Sequence, residues 1–99
     1  MSNNMNLYYI FYEVAMTKNI SKAASDLYIS QPAISKAINR LESNLECKLF
    51  TRNSRGVVLT NEGEILFEQI KEAVEAIKEG EEKIILPRLF KKFIVDIEL

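Results

Sequence analysis

Along residues 31–45 the apolar side chains Ile34, Ala37, Ile38, Leu41 and Leu45 recur at helical spacing, which fixes one stripe of that segment toward a core. Ser30 stands immediately before it, where its hydroxyl can accept from orphan backbone N–H groups, and Pro32 falls in the first turn, where a missing N–H does no harm. At about 100° per residue the outward direction is taken by Pro32, Lys36, Asn39 and Ser43, with Ser35 and Arg40 on the flanks. A short helix precedes it, with Ser21 as its expected cap. Ala23 and Ala24 are small enough for a neighbouring helix to approach closely, and Leu27 anchors inward. Only Tyr28 and Ile29 are left between the two, which predicts the compact turn of a helix-turn-helix.

The same patterning organises the rest of the chain. A first helix is expected from about Asn6 to Thr17, with Leu7, Ile10, Phe11, Val14 and Ala15 on one face and Tyr8, Tyr9 and Tyr12 packed toward a long helix of this or a second subunit. Lys48–Arg52 and Val57–Leu59 are short, partly β-branched runs around Asn53-Ser54-Arg55-Gly56, a sequence that favours a tight reversal and so a two-stranded wing. Thr60 caps a last long helix, with Glu62 and Glu64 near its positive end. Within it Leu66, Ile70, Ala73 and Ile77 follow the spacing of a coiled-coil seam, widened by Phe67 and Val74. That stripe outruns what so small a domain can cover, so a homodimer through this helix is expected, its two-fold axis matching a two-fold site. Pro87 is expected to break the helix. The predicted fold is mainly α: a winged helix-turn-helix over 1–60, a dimerisation and linker helix over 61–83, and a tail over 84–99 with no assigned structure.

Composition narrows the chemistry. A chain of 99 residues that is 47% hydrophobic makes one small domain, helped by oligomerisation. It has one cysteine, Cys47, and no histidine, so neither an internal disulfide nor a common zinc-ligand set can be assembled. Cys47 reads as a small packed residue rather than a redox sensor. No apolar run approaches the roughly 20 residues needed to span a bilayer, and a cytoplasmic protein without membrane contact is expected. Lys91 and Lys92 among apolar residues raise interfacial binding, but so short a segment is more often packed against protein.

The net charge of −1 conceals a strong separation. Residues 16–61 carry seven basic against three acidic side chains, a balance of +4, whereas residues 62–82 carry two against eight, a balance of −6. Screening acts over about 8–10 Å, so the local balance decides what each segment can meet. The first can approach phosphates; the second avoids them.

The outward residues of the 31–45 segment have the types that base reading requires. Gln31 can pair bidentately with adenine, Lys36 with guanine, Ser35 with a base or phosphate, and Pro32 and Ala33 can touch a thymine methyl. The competing reading is a merely solvated face, which most helices possess. Arg52 and Arg55 beside the expected hairpin tip can hold phosphates or enter a minor groove, against simple solvation of each. No nucleophile with a base, no metal cluster and no phosphate loop is legible, so no catalysis and no cofactor are expected.

Ser21-Lys22-Ala23-Ala24, Leu27, Ser30-Gln31-Pro32-Ala33-Ile34-Ser35-Lys36, Ile38, Leu41-Glu42, Leu45, Lys48-Leu49-Phe50, Arg52, Leu59-Thr60 and Gly63 resemble the N-terminal domain of LysR-type bacterial transcriptional regulators, over about residues 5–83. The resemblance implies dimeric binding to dyad-symmetric promoter DNA. By position it places Gln31, Pro32, Ala33, Ser35 and Lys36 in the groove, Ser21, Lys22 and Ser30 near phosphates, and Arg52 and Arg55 in the wing; Asn39 and Arg40 join this double-stranded DNA set from the outward face. Two departures stand out. Glu46 occupies a position where similar proteins have Gly, which puts a Cβ and a negative charge at a left-handed helix end. The chain also stops at Leu99, where similar proteins continue into an effector-binding region, so no small-molecule effector is expected. The alternative function is an interaction protein that pairs with a full-length relative and modulates it.

Overall fold

The computed structural model describes the backbone of residues 2–98 and the side chains of residues 6–93. Four helices and one hairpin follow in the order α1 (Ser2–Thr17), α2 (Ile20–Leu27), α3 (Gln31–Leu45), β1 (Phe50–Asn53), β2 (Gly56–Leu59) and α4 (Asn61–Glu98). This is a mainly helical winged helix-turn-helix. The first helix starts at Ser2, earlier than the expected Asn6.

The core forms where α1, α2 and α3 bring together the stripes legible in their sequences. Val14, Ala23, Ala24, Ile34, Ile38 and Val57 make one buried cluster; Leu7, Phe11, Ala37, Leu41 and Leu49 make a second, with Leu66, Phe67 and Ile70 of α4 packed against its edge. Phe11 lies 5.2 Å from Phe50 and Tyr12 stacks on Phe67 at 5.6 Å, so α1 joins the wing to α4. Cys47 packs against the second cluster as a half-buried free thiol. Leu45 departs from expectation: it is 41% exposed, because Leu41 and Leu49 already close that end of the core.

Caps decide the helix ends. Ser30 Oγ accepts from Ala33 N–H at 3.2 Å, and Pro32 sits in the first turn of α3. Thr60 Oγ1 accepts from Gly63 N–H at 3.0 Å and starts α4. Ser21 does not cap α2. That role falls to Asn19, extended at φ −149, whose Oδ1 accepts from Lys22 N–H at 3.0 Å. The shift lets Ile20 enter the first turn and pack against the core. Both α2 and α3 end on left-handed residues, Tyr28 at φ 58 and Glu46 at φ 55, and the following N–H groups of Ile29 and Cys47 reach back to the carbonyls of Ala24 and Glu42.

The hairpin pairs Phe50 with Leu59 and Arg52 with Val57, reversing through Ser54-Arg55. Gly56 has φ +134, and a Cβ there would strike the Lys18 carbonyl, so only glycine lets Val57 N–H bond that oxygen. A Cβ on Gly63 would meet the Leu49 carbonyl.

Pro87 does not break the last helix, which continues to Glu98, 38 residues in all. A proline leaves one carbonyl a turn earlier without its N–H partner. Residues 75–93 are all exposed, and water can take the place of the missing donor. At 1.5 Å per residue α4 is roughly 57 Å long, which accounts for the 58 Å length of the molecule. The boundary drawn at residue 83 is therefore not a break in the backbone.

Glu46 holds its left-handed conformation despite carrying a Cβ. Glu46→Gly is expected to stabilise the chain by about 1 kcal/mol through relief of that steric cost, less the entropy of the freer residue. Thermal unfolding at fixed protein concentration will read this as a Tm rise of about 4–8 °C.

Candidate nucleic-acid interface

The polar face of α3 stands clear of the core. Gln31, Pro32, Ala33, Lys36, Asn39 and Arg40 are exposed, and Ser35 is half-buried at the edge facing the wing. Arg52 spans the gap: its Nη2 donates to Ser35 Oγ at 3.4 Å, linking the hairpin to the helix. Arg55 projects at the hairpin tip, where Asn53 Oδ1 accepts its backbone N–H at 2.8 Å and holds the turn.

Ser21 and Lys22 lie on the exposed side of α2. A cleft of about 340 Å³ between the start of α2 and the hairpin is lined by Asn19, Ser21, Arg52 and Arg55, among others. A second, between α3 and the wing, includes Asn39, Lys48 and Arg52. These clefts and the Arg52–Ser35 contact bring together Asn19 and Ser21 at the start of α2, Ser35 and Asn39 of α3, and Arg52 and Arg55 of the wing. Lys22 is partly engaged, its Nζ lying 3.9 Å from Asp26 on the same exposed helix face, a contact of little energetic weight.

The residue that ties α3 to the wing entered the sequence reading only as part of the family resemblance, with no role assigned. Glu42 is 7% exposed on α3, and its Oε2 accepts from Leu49 N–H at 2.7 Å and from Phe50 N–H at 3.4 Å. Its Oε1 lies 3.7 Å from Lys48 Nζ. One carboxylate therefore ties α3 to the first strand of the wing and satisfies buried donors that no sheet partner reaches. Tyr28 is the other feature missed. Its left-handed backbone leaves the ring 95% exposed in the turn before α3.

The expected dimer residues divide into two groups. Leu66, Phe67 and Ile70 pack on the chain's own core, while Ala73 and Ile77 are exposed and Val74 is half-buried. With Tyr8, Tyr9 and Gln69, all of these but Phe67 line an open, almost wholly apolar groove of about 310 Å³ between α1 and α4.

Residues 5–64 match the model of the bacterial regulatory helix-turn-helix proteins of the lysR family. The chain belongs to the LysR family. This LysR domain is 50% identical over 64 residues to YoaU of Bacillus subtilis, an uncharacterised HTH-type transcriptional regulator, covering 64% of the chain and 22% of that relative. It is 41% identical over 76 residues to the HTH-type transcriptional regulator PerR of Escherichia coli, covering 77% and 26%. The chain spans about a quarter of the length of the curated relatives it matches. Among solved structures, the BenM DNA-binding domain in complex with the catB site 1 DNA superposes with a TM-score of 0.72 at 28% identity, over 80% of this chain and 88% of that one. The chain therefore carries the helix-turn-helix domain of the LysR family, and the relatives named here are transcriptional regulators. Among the described residues no helix is long and apolar enough to cross a membrane, and no group of metal-ligating side chains converges.

Because Glu42 satisfies a buried backbone donor of the wing, Glu42→Ala is expected to cost about 2–3 kcal/mol, and Glu42→Gln less, since the amide oxygen can still accept. Denaturant unfolding of the three proteins gives the comparison.

Proposed function

We propose that this chain reads double-stranded DNA as a homodimer, laying the first turns of α3 in the major groove and the wing beside the adjacent minor groove. The observation that carries the reading is the shared exposure of Gln31, Pro32, Ala33 and Lys36 at the capped start of α3, with Ser35 tied to Arg52 of the wing. Gln31 and Lys36 offer adenine and guanine edges their complementary groups, and Pro32 and Ala33 offer apolar surface to a thymine methyl. Ser21, Lys22 and Ser30 fall at the margins, where hydroxyls, an ammonium and helix N-termini favour phosphate oxygens. Asn39 and Arg40 flank the helix further along.

The wing arginines take different parts. Arg52 is directed back to Ser35 and braces the helix against the hairpin, leaving Arg55 at the tip to reach phosphates or a narrow minor groove. Electrostatics supports the same orientation, since the basic 16–61 segment meets the duplex while the acidic start of α4 points elsewhere.

Binding assays separate the two kinds of contact. On a duplex enriched from random sequence, Gln31→Ala and Lys36→Ala should each lose about 1–3 kcal/mol of discrimination against a scrambled duplex. Arg55→Ala should weaken both duplexes alike and flatten the plot of log affinity against log salt by about 0.9 per lost phosphate contact. Equal weakening of both duplexes by Gln31→Ala and Lys36→Ala would remove α3 from base reading.

The open groove between α1 and α4 supports dimerisation through Leu66, Phe67, Ile70, Ala73, Val74 and Ile77. Ile77 is 47% exposed within one protomer, so Ile77→Glu spares the subunit's own core and puts a charge where the second copy would pack. Native mass measurement of the DNA complex should find two chains per duplex for the unaltered protein and one for Ile77→Glu, with weaker binding. One chain per duplex for the unaltered protein would contradict the dimer.

A further inference from the structure

The turn between α1 and α2 carries a strained lysine. Lys18 takes a left-handed backbone at φ 58, where a Cβ meets a steric cost that glycine does not. Such conformations persist where their surroundings over-determine them, and they cluster at sites that bind. Three bonds fix this one: Lys18 N–H donates to the Val14 carbonyl of α1 at 2.8 Å, the Lys18 carbonyl accepts Val57 N–H of β2 at 3.3 Å, and Asn19 beside it caps α2. The lysine's place relative to the wing is therefore held by the backbone. Its side chain is exposed, and among the described residues it enters no ion pair.

Its neighbours are those of the proposed phosphate margin. The backbone of Gly56 lies against the Lys18 carbonyl, one residue from Arg55 at the hairpin tip. Asn19, the next residue along the chain, lines with Ser21, Arg52 and Arg55 the cleft between α2 and the wing. Lys18 thus borders that cleft from the α1 side, and the turn, α2 and the wing together offer cations and donors to one stretch of DNA backbone. We propose that Lys18 is a further phosphate contact of the DNA interface, gripping the duplex backbone together with Arg55. The inference rests on the DNA-reading role proposed above and adds to it a residue outside both the helix-turn-helix and the wing. A cation at the C-terminal end of α1 also meets the helix dipole favourably. That role concerns stability alone, and it predicts no change in how DNA binding responds to salt.

Lys18→Gly separates the two roles, because glycine accepts the left-handed turn and only the side chain is lost. On a duplex enriched from random sequence by the full chain, Lys18→Gly should bind about 3- to 10-fold more weakly and flatten the plot of log affinity against log salt by about 0.9 for each bound chain. The loss should be the same on a scrambled duplex, since a phosphate carries no sequence. Lys18→Asn, whose side chain also tolerates the turn, should match Lys18→Gly, and Lys18→Arg, which keeps the charge, should retain the slope. Lys91→Ala, which removes an equal charge from an exposed position far along α4, should leave the slope as it was. Equal flattening by Lys91→Ala would reduce the effect to net charge and overturn the inference. An unaltered slope in Lys18→Gly, whatever its melting temperature, would make Lys18 a structural residue; the inference then falls alone, while the unaltered chain still discriminates between the two duplexes. A chain that binds neither duplex overturns the DNA-reading role and this inference together.

Discussion

The carboxylate of Glu42 ties the end of α3 to the start of the wing, the two elements of the proposed DNA-reading face. Removed from water at the end of α3, it accepts the N–H groups of Leu49 and Phe50 and draws Lys48 to within 3.7 Å. Val57 of β2 packs in one buried cluster with Ile34 and Ile38 of α3, and Glu42 adds bonds from α3 to the backbone at the start of β1. Hydrogen bonds to a buried charge are directional and costly to lose, and these act close to where β1 begins. The exposed Arg52–Ser35 contact adds a second tie on the outer side. Between them the wing is tied to α3 at two points, an arrangement that suits the proposed reading of a major groove and its neighbouring minor groove together.

A second constraint is the division of charge. The basic balance of residues 16–61 sits on the helix-turn-helix and wing, and the carboxylates of residues 62–82 sit on a helix that leaves the domain. Within one Debye length each surface acts by its own sign, so the chain can approach a polyanion in one orientation despite its net charge of −1. The length of α4 extends the molecule to 58 Å and leaves residues 75–93 exposed.

Much of this was legible in the sequence because it rests on local rules. The Ile34, Ala37, Ile38 and Leu41 stripe, the Ser30 cap, Pro32 in the first turn and the Asn53–Gly56 reversal each follow from spacing or backbone preference, and each stands where expected. What was not legible depends on partners distant in sequence or on solvent. Asn19 and Ser21 are equally good caps by type, and only the burial of Ile20 chooses between them. Leu45 belongs to the stripe by period yet lies beyond the helices that cover it. Pro87 stops a helix by its chemistry, but not where water surrounds the freed carbonyl. Glu42 was legible only as part of the family resemblance, and its bonds to Leu49 and Phe50 were not. The end of α2 and the hairpin turn depend on positive φ at Tyr28 and Gly56, and at Tyr28 residue type gives no sign of it.

Enrichment of duplexes from a random-sequence pool by the unaltered chain tests the DNA-reading role of α3 most directly. A paired recognition helix predicts convergence on two inverted half-sites spaced by about one helical turn of DNA or a multiple of it. A pool that binds with uniform affinity and shows no sequence convergence after repeated rounds would contradict it.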